Sequence, residues 1–114
     1  MLNPDGVSRG MYRMDTKAYN LNRFYLNPEP QNHPTIYAIK KLVVHHTKNL
    51  FMFVDFHAHA SKKAGFMFGN YLSDPTKQTE NILFAKLVAM NCLNFDLTEC
   101  NFSNKIMTVV DKNG

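Results

Sequence analysis

The fold of this chain is constrained most by a continuous apolar run at residues 50–54, which contains two phenylalanines among five apolar residues. Its length and aromatic content are typical of a strand that is covered on both faces of a sheet. A second short run, at residues 65–69, is bounded by glycines and also predicts a strand. Partial alternation over residues 95–102 and a β-prone tail at residues 106–110 predict further strands.

Two helices are predicted around these runs, at about residues 34–48 and 76–92. Pro34 suits the first position of a helix because the backbone N–H that it lacks has no partner there, and apolar residues recur behind it at helical spacing. Asp74 and Pro75 mark the start of the second helix. The order of loop, helix, strand, strand, helix and strands predicts an α/β fold, a mixed sheet with helices packed on it.

Composition and charge limit the classes of protein to which the chain can belong. With 114 residues, 45% of them apolar and 19% charged, it is expected to form a globular domain. No apolar run approaches the roughly 18–20 residues that cross a bilayer, so we expect no membrane partner. Residues 1–63 contain nine Lys or Arg against four Asp or Glu, whereas residues 64–114 contain four against five. This excess favours an acidic ligand near the first half, but no dense basic stripe indicates a nucleic-acid partner.

Three polar residues, Asp55, His57 and His59, follow the first apolar run at two-residue spacing. They project from one face if the strand continues, and ligands of open α/β sheets bind beyond the carboxyl ends of strands. One interpretation is part of a metal site, and the other is a hydrogen-bonded polar cluster without a metal. Two histidines do not complete a zinc site, which commonly takes three protein ligands plus water when it is catalytic.

Arg13, Asn22 and Arg23 stand out in the opening segment, which is rich in Asn, Pro and Gly and is predicted to be loop. Arg presents a planar fork that suits a carboxylate or an oxyanion, and Asn adds a neutral donor beside it. Each of these residues alone also fits a solvated or loop-bracing side chain, so the case for a binding site rests on their combination.

In combination, these motifs resemble the zinc metallocarboxypeptidases, specifically the cytosolic carboxypeptidases that act on tubulin. The resemblance extends over nearly the whole chain and rests on several motifs in the same order. They are Asn3-Pro4-Asp5-Gly6, Tyr12-Arg13, Asn20-Leu21-Asn22-Arg23, His33-Pro34-Thr35-Ile36-Tyr37 and Asp55-Phe56-His57-Ala58-His59. The fold that the resemblance implies is a partial zinc-carboxypeptidase fold.

The resemblance also implies a role for each matching residue. His57 corresponds to the third zinc ligand of a His, Glu, His set, and the implied cofactor is one Zn²⁺ per complete domain. Asn22 and Arg23 correspond to the pair that holds the α-carboxylate of the substrate. Arg13 corresponds to the arginine that polarises the scissile carbonyl and stabilises the developing oxyanion.

The implied activity is the removal of C-terminal or branch glutamates from polyglutamylated proteins such as tubulin, in the cytoplasm and at microtubules.

Cys92 and Cys100 stand at no metal-ligand pair spacing and fit a reducing compartment. Lys62 and Lys63 follow the histidines and have two interpretations. They either help to attract a glutamate-rich tail or form a solvated turn.

Departures from the family pattern qualify these expectations. The His-x-x-Glu motif and the general-base Glu of the family are not found within residues 1–114. We therefore expect a partial metallocarboxypeptidase catalytic domain at residues 1–114, which binds zinc weakly and has no hydrolytic activity alone. Lys17-Ala18-Tyr19 replaces a stretch where relatives usually carry a Gly, which bears on the local backbone geometry. The alternative function is a non-catalytic module that binds acidic tails through Arg13, Arg23, Lys62 and Lys63.

Overall fold

The computed structural model describes residues 1–104 and contains three α-helices in that range. Helix α1 spans Pro4–Ser8, α2 spans Pro34–His45 and α3 spans Pro75–Asn91. Two 3₁₀ turns, Leu21–Arg23 and Leu97–Glu99, lie in the connecting segments. Within the described residues, none of these helices is long and apolar enough to cross a membrane.

The chain divides into two compact units, Met1–Phe56 and His57–Gly114. The first unit contains α1, the Leu21–Arg23 turn and α2, and its most completely buried apolar side chain is Ile36 at 1% exposure. The second unit contains α3 and the Leu97–Glu99 turn, and Ala85 on α3 is fully buried. Each unit is therefore organised around one of the two long helices.

Helix α2 begins and ends with local signals. Pro34 occupies its first turn, and the carbonyl oxygen of His33 accepts the N–H of Tyr37 at 2.9 Å. After the last turn, the hydroxyl of Thr47 donates to two carbonyl oxygens, at 2.8 and 3.1 Å, which the end of a helix otherwise leaves unpaired. The prediction of a helix at residues 34–48 is confirmed, with its end at His45.

Helix α3 begins at a side-chain cap. The carboxylate of Asp74 accepts the backbone N–H groups of Thr76 at 2.9 Å and Lys77 at 3.4 Å, and Pro75 is the first helical residue. An Asp at this position satisfies donors that have no partner inside the helix. The prediction of a helix at residues 76–92 is confirmed to within a residue at each end.

The prediction of an α/β fold with a mixed sheet is wrong for the part of the chain that the structure describes, since residues 1–104 contain no strand. Residues 50–54 have no regular secondary structure, and their apolar side chains are between 40% and 95% exposed. A strand exists only where neighbouring strands pair with its backbone N–H and C=O groups. No such neighbour lies beside this run among the described residues. The tail at residues 106–110 lies outside them.

The second predicted strand, residues 65–69, is reduced to two isolated parallel bridges, Gly65 with Phe95 and Phe68 with Asn101. Each bridge contains backbone hydrogen bonds. The N–H of Gly65 donates to the carbonyl of Asn94 at 2.8 Å, and the N–H of Gly69 donates to the carbonyl of Asn101 at 3.0 Å. Between the two bridges, however, Leu97–Glu99 coils into a 3₁₀ turn. This turn takes those residues out of line with the partner segment, and a continuous ladder cannot form.

Much apolar surface remains exposed in the described residues. Within residues 1–104, the buried apolar side chains are Leu21, Ile36 and Ala85, whereas Phe51 and Phe56 are each 95% exposed. An open groove in the first unit is lined mainly by apolar side chains of α2 and of the run at residues 50–53. Exposed apolar surface of this kind promotes association and aggregation.

Candidate functional site

The Asn3-Pro4-Asp5-Gly6 motif forms the start of α1 and connects it to the segment that carries Arg13. The side-chain oxygen of Asn3 accepts the N–H of Gly6 at 3.0 Å, and its side-chain nitrogen donates to the carbonyl of Met14 at 3.1 Å. A Cβ atom at Gly6 would overlap the Asn3 side chain, so glycine is required for this cap. The motif therefore holds the backbone next to Arg13.

The guanidinium group of Arg13 is exposed to solvent. It lies over the ring of Tyr12, with 5.9 Å between the guanidinium carbon and the ring centroid. This contact is a cation–π interaction, which is weak at an exposed position. Arg13 is therefore accessible to a ligand, as the oxyanion-binding role requires.

A tight turn at residues 15–19 leads into the Asn20-Leu21-Asn22-Arg23 motif. The carboxylate of Asp15 accepts the N–H of Lys17 at 2.9 Å and that of Tyr19 at 2.8 Å. Ala18, between them, has a φ of 64°, which is the left-handed region that glycine adopts without strain. At the stretch where the resembling family usually carries a Gly, this chain thus keeps a turn that favours glycine, at a cost of about 1–2 kcal/mol.

Asn22 and Arg23 lie side by side on the 3₁₀ turn Leu21–Arg23, and both side chains are exposed. Leu21 is buried and anchors the turn to the unit. The N–H of Arg23 donates to the carbonyl of Asn20 at 2.9 Å, and that of Phe24 donates to the carbonyl of Leu21 at 3.1 Å. The turn thus carries an exposed amide residue next to an exposed arginine, which are residue types that suit a carboxylate ligand.

Tyr19, Phe24 and His33 form a cluster of three rings, two of which flank the Leu21–Arg23 turn in sequence. His33 stacks on Phe24 with 3.7 Å between ring centroids and 17° between the planes. Tyr19 meets His33 edge-on at 4.8 Å. His33 was recognised from the sequence as part of a motif, but its burial was not predicted. The available signal was the placement of two aromatic residues immediately on either side of the Asn20-Leu21-Asn22-Arg23 motif.

Tyr25 and Asp55 interact electrostatically within the first unit. Burial raises the pKa of the Tyr25 hydroxyl above its ordinary value, and the negative charge of Asp55 raises it further. This interaction brings Asp55, which precedes His57 in sequence, into electrostatic reach of the segment that follows Arg23.

His57 and His59 belong to the second unit, and both are exposed. The Nδ1 atom of His59 lies 3.3 Å from the hydroxyl oxygen of Ser61, and its ring meets those of Phe66 and Phe68 edge-on at 5.5 and 6.3 Å. Because no strand forms here, the two-residue spacing of Asp55, His57 and His59 does not place them on one face of a strand.

The described residues do not fit a complete metal site. Within residues 1–104, no group of three or more His, Cys, Asp or Glu side chains could hold a metal ion. A catalytic zinc site takes three protein ligands and keeps one position open. The role of His57 as one zinc ligand therefore stays a prediction, and the described residues hold no group that forms a complete zinc site.

Lys62 and Lys63 differ in their surroundings. Lys62 is partly buried, forms a salt bridge with Glu99 and lies 5.8 Å from the ring centroid of Phe66. Lys63 is exposed. The charge of Lys62 is thus already balanced by a carboxylate, whereas Lys63 presents its ammonium group to solvent.

The predicted site residues are divided between the two units. The first unit, Met1–Phe56, contains Arg13, Asn22 and Arg23. The second unit, His57–Gly114, contains His57, Lys62 and Lys63. Asn22 and Arg23 are consecutive residues of one turn. Among the described residues, His57 belongs to no group of three or more His, Cys, Asp or Glu side chains that could hold a metal ion.

Comparison with known proteins gives several related sequences, although no family model matches the chain. Cytosolic carboxypeptidase-like protein 5 of Danio rerio is 28% identical over 98% of this chain. Cytosolic carboxypeptidase 6 of Mus musculus and that of Homo sapiens are each 36% identical over 90% of it. The resemblance that the sequence motifs indicated is confirmed.

The relatives are much longer than this chain, which spans 24% of the zebrafish protein and 20% of the mouse protein. The alignment with the zebrafish protein extends over 210 positions, although this chain has 114 residues. That relative therefore contains additional residues within the matched stretch. The mouse protein aligns over 107 positions and has no insertion of that size there.

Proposed function

We propose that this chain, a homologue of the cytosolic carboxypeptidases, forms the part of a carboxypeptidase that holds the C-terminal residue of its substrate. The observation that carries the proposal is the exposed Asn22 and Arg23 pair on the Leu21–Arg23 turn. A carboxypeptidase must recognise a free α-carboxylate, because this group distinguishes the end of a chain from an internal peptide bond.

The chemistry of the pair fits this task. The guanidinium group of Arg23 offers two parallel N–H donors to the two oxygens of a carboxylate, and the amide of Asn22 adds a third donor. Arg13 is exposed as well and supplies a fixed positive charge for the scissile carbonyl, where negative charge develops in the transition state. Binding and charge stabilisation are therefore assigned to residues of the first unit.

The family to which the relatives belong implies zinc, and His57 is the residue of this chain that we assign to it. Because the described residues provide no complete site, we derive no reaction step through the metal. We propose that the chain alone binds zinc weakly and does not hydrolyse peptides. Detectable hydrolysis of a glutamate-terminated peptide by the 114-residue chain, abolished by a chelator, would contradict this.

We further propose that the substrates are glutamate-rich tails, such as those of polyglutamylated tubulin, encountered in the cytoplasm and at microtubules. The excess of basic residues in positions 1–63 supports this choice, because a positive surface attracts an acidic tail over about one Debye length of roughly 8–10 Å. Lys63 is exposed and available for such attraction. Lys62 contributes less, since Glu99 already balances its charge.

The test is a calorimetric comparison of two peptides of identical sequence that end in glutamate, one with a free C-terminal carboxylate and one with a C-terminal amide. The 114-residue chain is expected to prefer the free acid, and Arg23→Lys is expected to abolish the preference because lysine cannot form the paired hydrogen bonds. Arg9→Lys, at another exposed arginine of the same unit, is the matched control and should retain the preference. Equal binding of acid and amide by the wild-type chain would refute the proposal.

A second candidate function is a non-catalytic module that binds acidic tails. It is favoured by the lack of a metal-holding group within residues 1–104 together with the basic first half. The same experiment separates the two functions. A module of this kind would bind both glutamate-rich peptides alike, and its affinity would fall steeply with added salt.

A further inference from the structure

His33 is the one polar side chain that is buried among the described residues, at 2% exposure. Its Nδ1 atom accepts the backbone N–H of Glu29 at 3.1 Å. A ring nitrogen that accepts a hydrogen bond carries no proton, so the neutral imidazole has its proton on Nε2. Within residues 1–104, Nε2 has no hydrogen-bond partner.

The imidazole of His33 contacts one aromatic residue on either side of the Leu21–Arg23 turn. Phe24, which follows the turn, stacks on the ring at 3.7 Å. Tyr19, which lies just before Asn20, the residue that caps the turn, meets the ring edge-on at 4.8 Å. Tyr19 and Phe24 also contact each other at 5.6 Å, so the three rings form one closed cluster.

The turn needs such support because its own hydrogen bonds are few. It has three residues, and the side chain of Asn20 makes no capping hydrogen bond to it. A 3₁₀ turn has poorer hydrogen-bond geometry than an α-helix, so side-chain packing around it matters more for its stability. The backbone of the turn is therefore flanked by two kinds of packing, the buried side chain of Leu21 and the ring cluster.

The imidazole of His33 is held by the backbone of Glu29, which lies outside the Leu21–Arg23 turn. Its Nδ1 atom is fixed by the N–H of Glu29, and the backbone N–H of His33 donates to the carbonyl of Glu29 at 2.7 Å. His33 also caps α2, where its carbonyl accepts the N–H of Tyr37. The ring is thus a rigid support anchored to the start of a helix.

We infer that His33 is the positioning residue of the Asn22 and Arg23 pair, which it orients through its ring contacts with Phe24 and Tyr19. This inference rests on the proposed function in so far as the pair binds a carboxylate. The orientation of the turn by His33 does not depend on that function and can be measured separately.

Two variants of the 114-residue chain separate positioning from helix capping. His33→Asn removes the ring but supplies a side-chain oxygen for the N–H of Glu29, and Asn is a preferred helix-capping residue. His33→Phe keeps a ring for Phe24 and Tyr19 but lacks the Nδ1 acceptor. His45→Asn, at an exposed histidine in the last turn of α2, is the matched control.

The first readout is amide hydrogen exchange by NMR. His33→Asn is expected to accelerate exchange at the N–H groups of Arg23 and Phe24 by about tenfold, through local opening of the turn, with no change within α2. His33→Phe should keep these rates within about threefold of wild type, because the stacking partner of Phe24 remains. Nitrogen chemical shifts of the wild-type ring should report an unprotonated Nδ1 and a protonated Nε2.

The second readout is the affinity for the free-acid and amide peptides. His33→Asn is expected to weaken binding of the free acid by about tenfold, since loss of alignment reduces recognition by positioned groups, and to leave the amide unaffected. Exchange rates and affinities in His33→Asn equal to those in His45→Asn would overturn the inference. So would exchange that rises equally in the turn and in α2, or His33→Phe behaving like His33→Asn.

Failure of the proposed function gives a different result. If wild-type chain binds the free acid and the amide alike, carboxylate recognition by Asn22 and Arg23 is refuted, and the exchange rates alone decide the role of His33. If the wild-type chain prefers the free acid but His33→Asn binds it with unchanged affinity, carboxylate recognition stands and positioning by His33 is refuted.

Discussion

The ring of His33 lies face to face on the ring of Phe24, with their centroids 3.7 Å apart. Phe24 directly follows Arg23, and His33 directly precedes the first residue of α2. One aromatic contact therefore connects an exposed turn that carries an arginine to the start of a helix. This relationship links two of the family motifs physically, because the imidazole of the second motif supports the backbone of the first.

Ala18→Gly should stabilise the chain. Ala18 has a φ of 64°, where an L residue is strained by about 1–2 kcal/mol, and removal of this strain outweighs the added entropy of glycine in the unfolded chain by about 0.5–1 kcal/mol. The free energy of unfolding in urea measures the change. Ala38→Gly, the same substitution at an exposed position inside α2, should destabilise by about 1 kcal/mol. Destabilisation of similar size by both substitutions would show that Ala18 is not strained.

Asp55→Asn should lower the pKa of Tyr25 part of the way towards its ordinary value of 10.0. Burial, the larger cause, remains in the variant, so the pKa stays somewhat raised. NMR titration of the Tyr25 ring measures the shift. Glu29→Gln, at an exposed carboxylate of the same unit, should leave the titration unchanged. An unchanged titration in Asp55→Asn would show that the charge of Asp55 does not affect the pKa of Tyr25.

The same shift has a consequence for stability at alkaline pH. Because the folded pKa of Tyr25 is raised, the unfolded chain loses this proton first as pH rises. The stability that the neutral hydroxyl contributes is fully present below pH 10 and is lost as pH rises through the folded pKa. Tyr25→Phe should therefore flatten the fall of unfolding free energy above pH 10. A fall of equal steepness in both proteins would contradict the burial of this hydroxyl.

Phe51→Asp should reduce aggregation and binding of hydrophobic dyes while changing stability by no more than about 0.5 kcal/mol. Phe51 is 95% exposed and lines the open groove of the first unit, so its removal creates no cavity. Ile36→Ala, at a side chain with 1% exposure, is expected to cost at least about 2 kcal/mol. If Phe51→Asp destabilises the chain as strongly as Ile36→Ala, the run at residues 50–54 is packed in solution.

Local signals predicted the parts of the fold that depend on neighbouring residues. Pro34 and the Asp74-Pro75 pair marked two helix starts correctly, because capping and the conformation of proline act within one turn of helix. The apolar run at residues 50–54 did not become a strand, since a strand requires partners that are distant in sequence. An apolar run in the sequence indicates a segment that can form a strand, but it does not show whether a second segment pairs with it.

The candidate site shows the same division. Asn22 and Arg23 were recognised as adjacent residues of one motif, and the structure places both on the Leu21–Arg23 turn, while their binding role stays a prediction. The burial of His33 was not predicted, because it depends on rings nine and fourteen positions away, those of Phe24 and Tyr19. The φ of Ala18 could be anticipated only as a departure from a stretch where relatives usually have glycine.

The central claim is that Asn22 and Arg23 bind the α-carboxylate at the end of an acidic peptide. The most direct measurement is NMR titration of their side-chain N–H resonances with the free-acid and amide peptides. We predict that the Arg23 Nε–H and the Asn22 Nδ2 protons shift on addition of the free acid and remain in place with the amide. Unchanged resonances with both peptides, or equal shifts with both, would contradict the account.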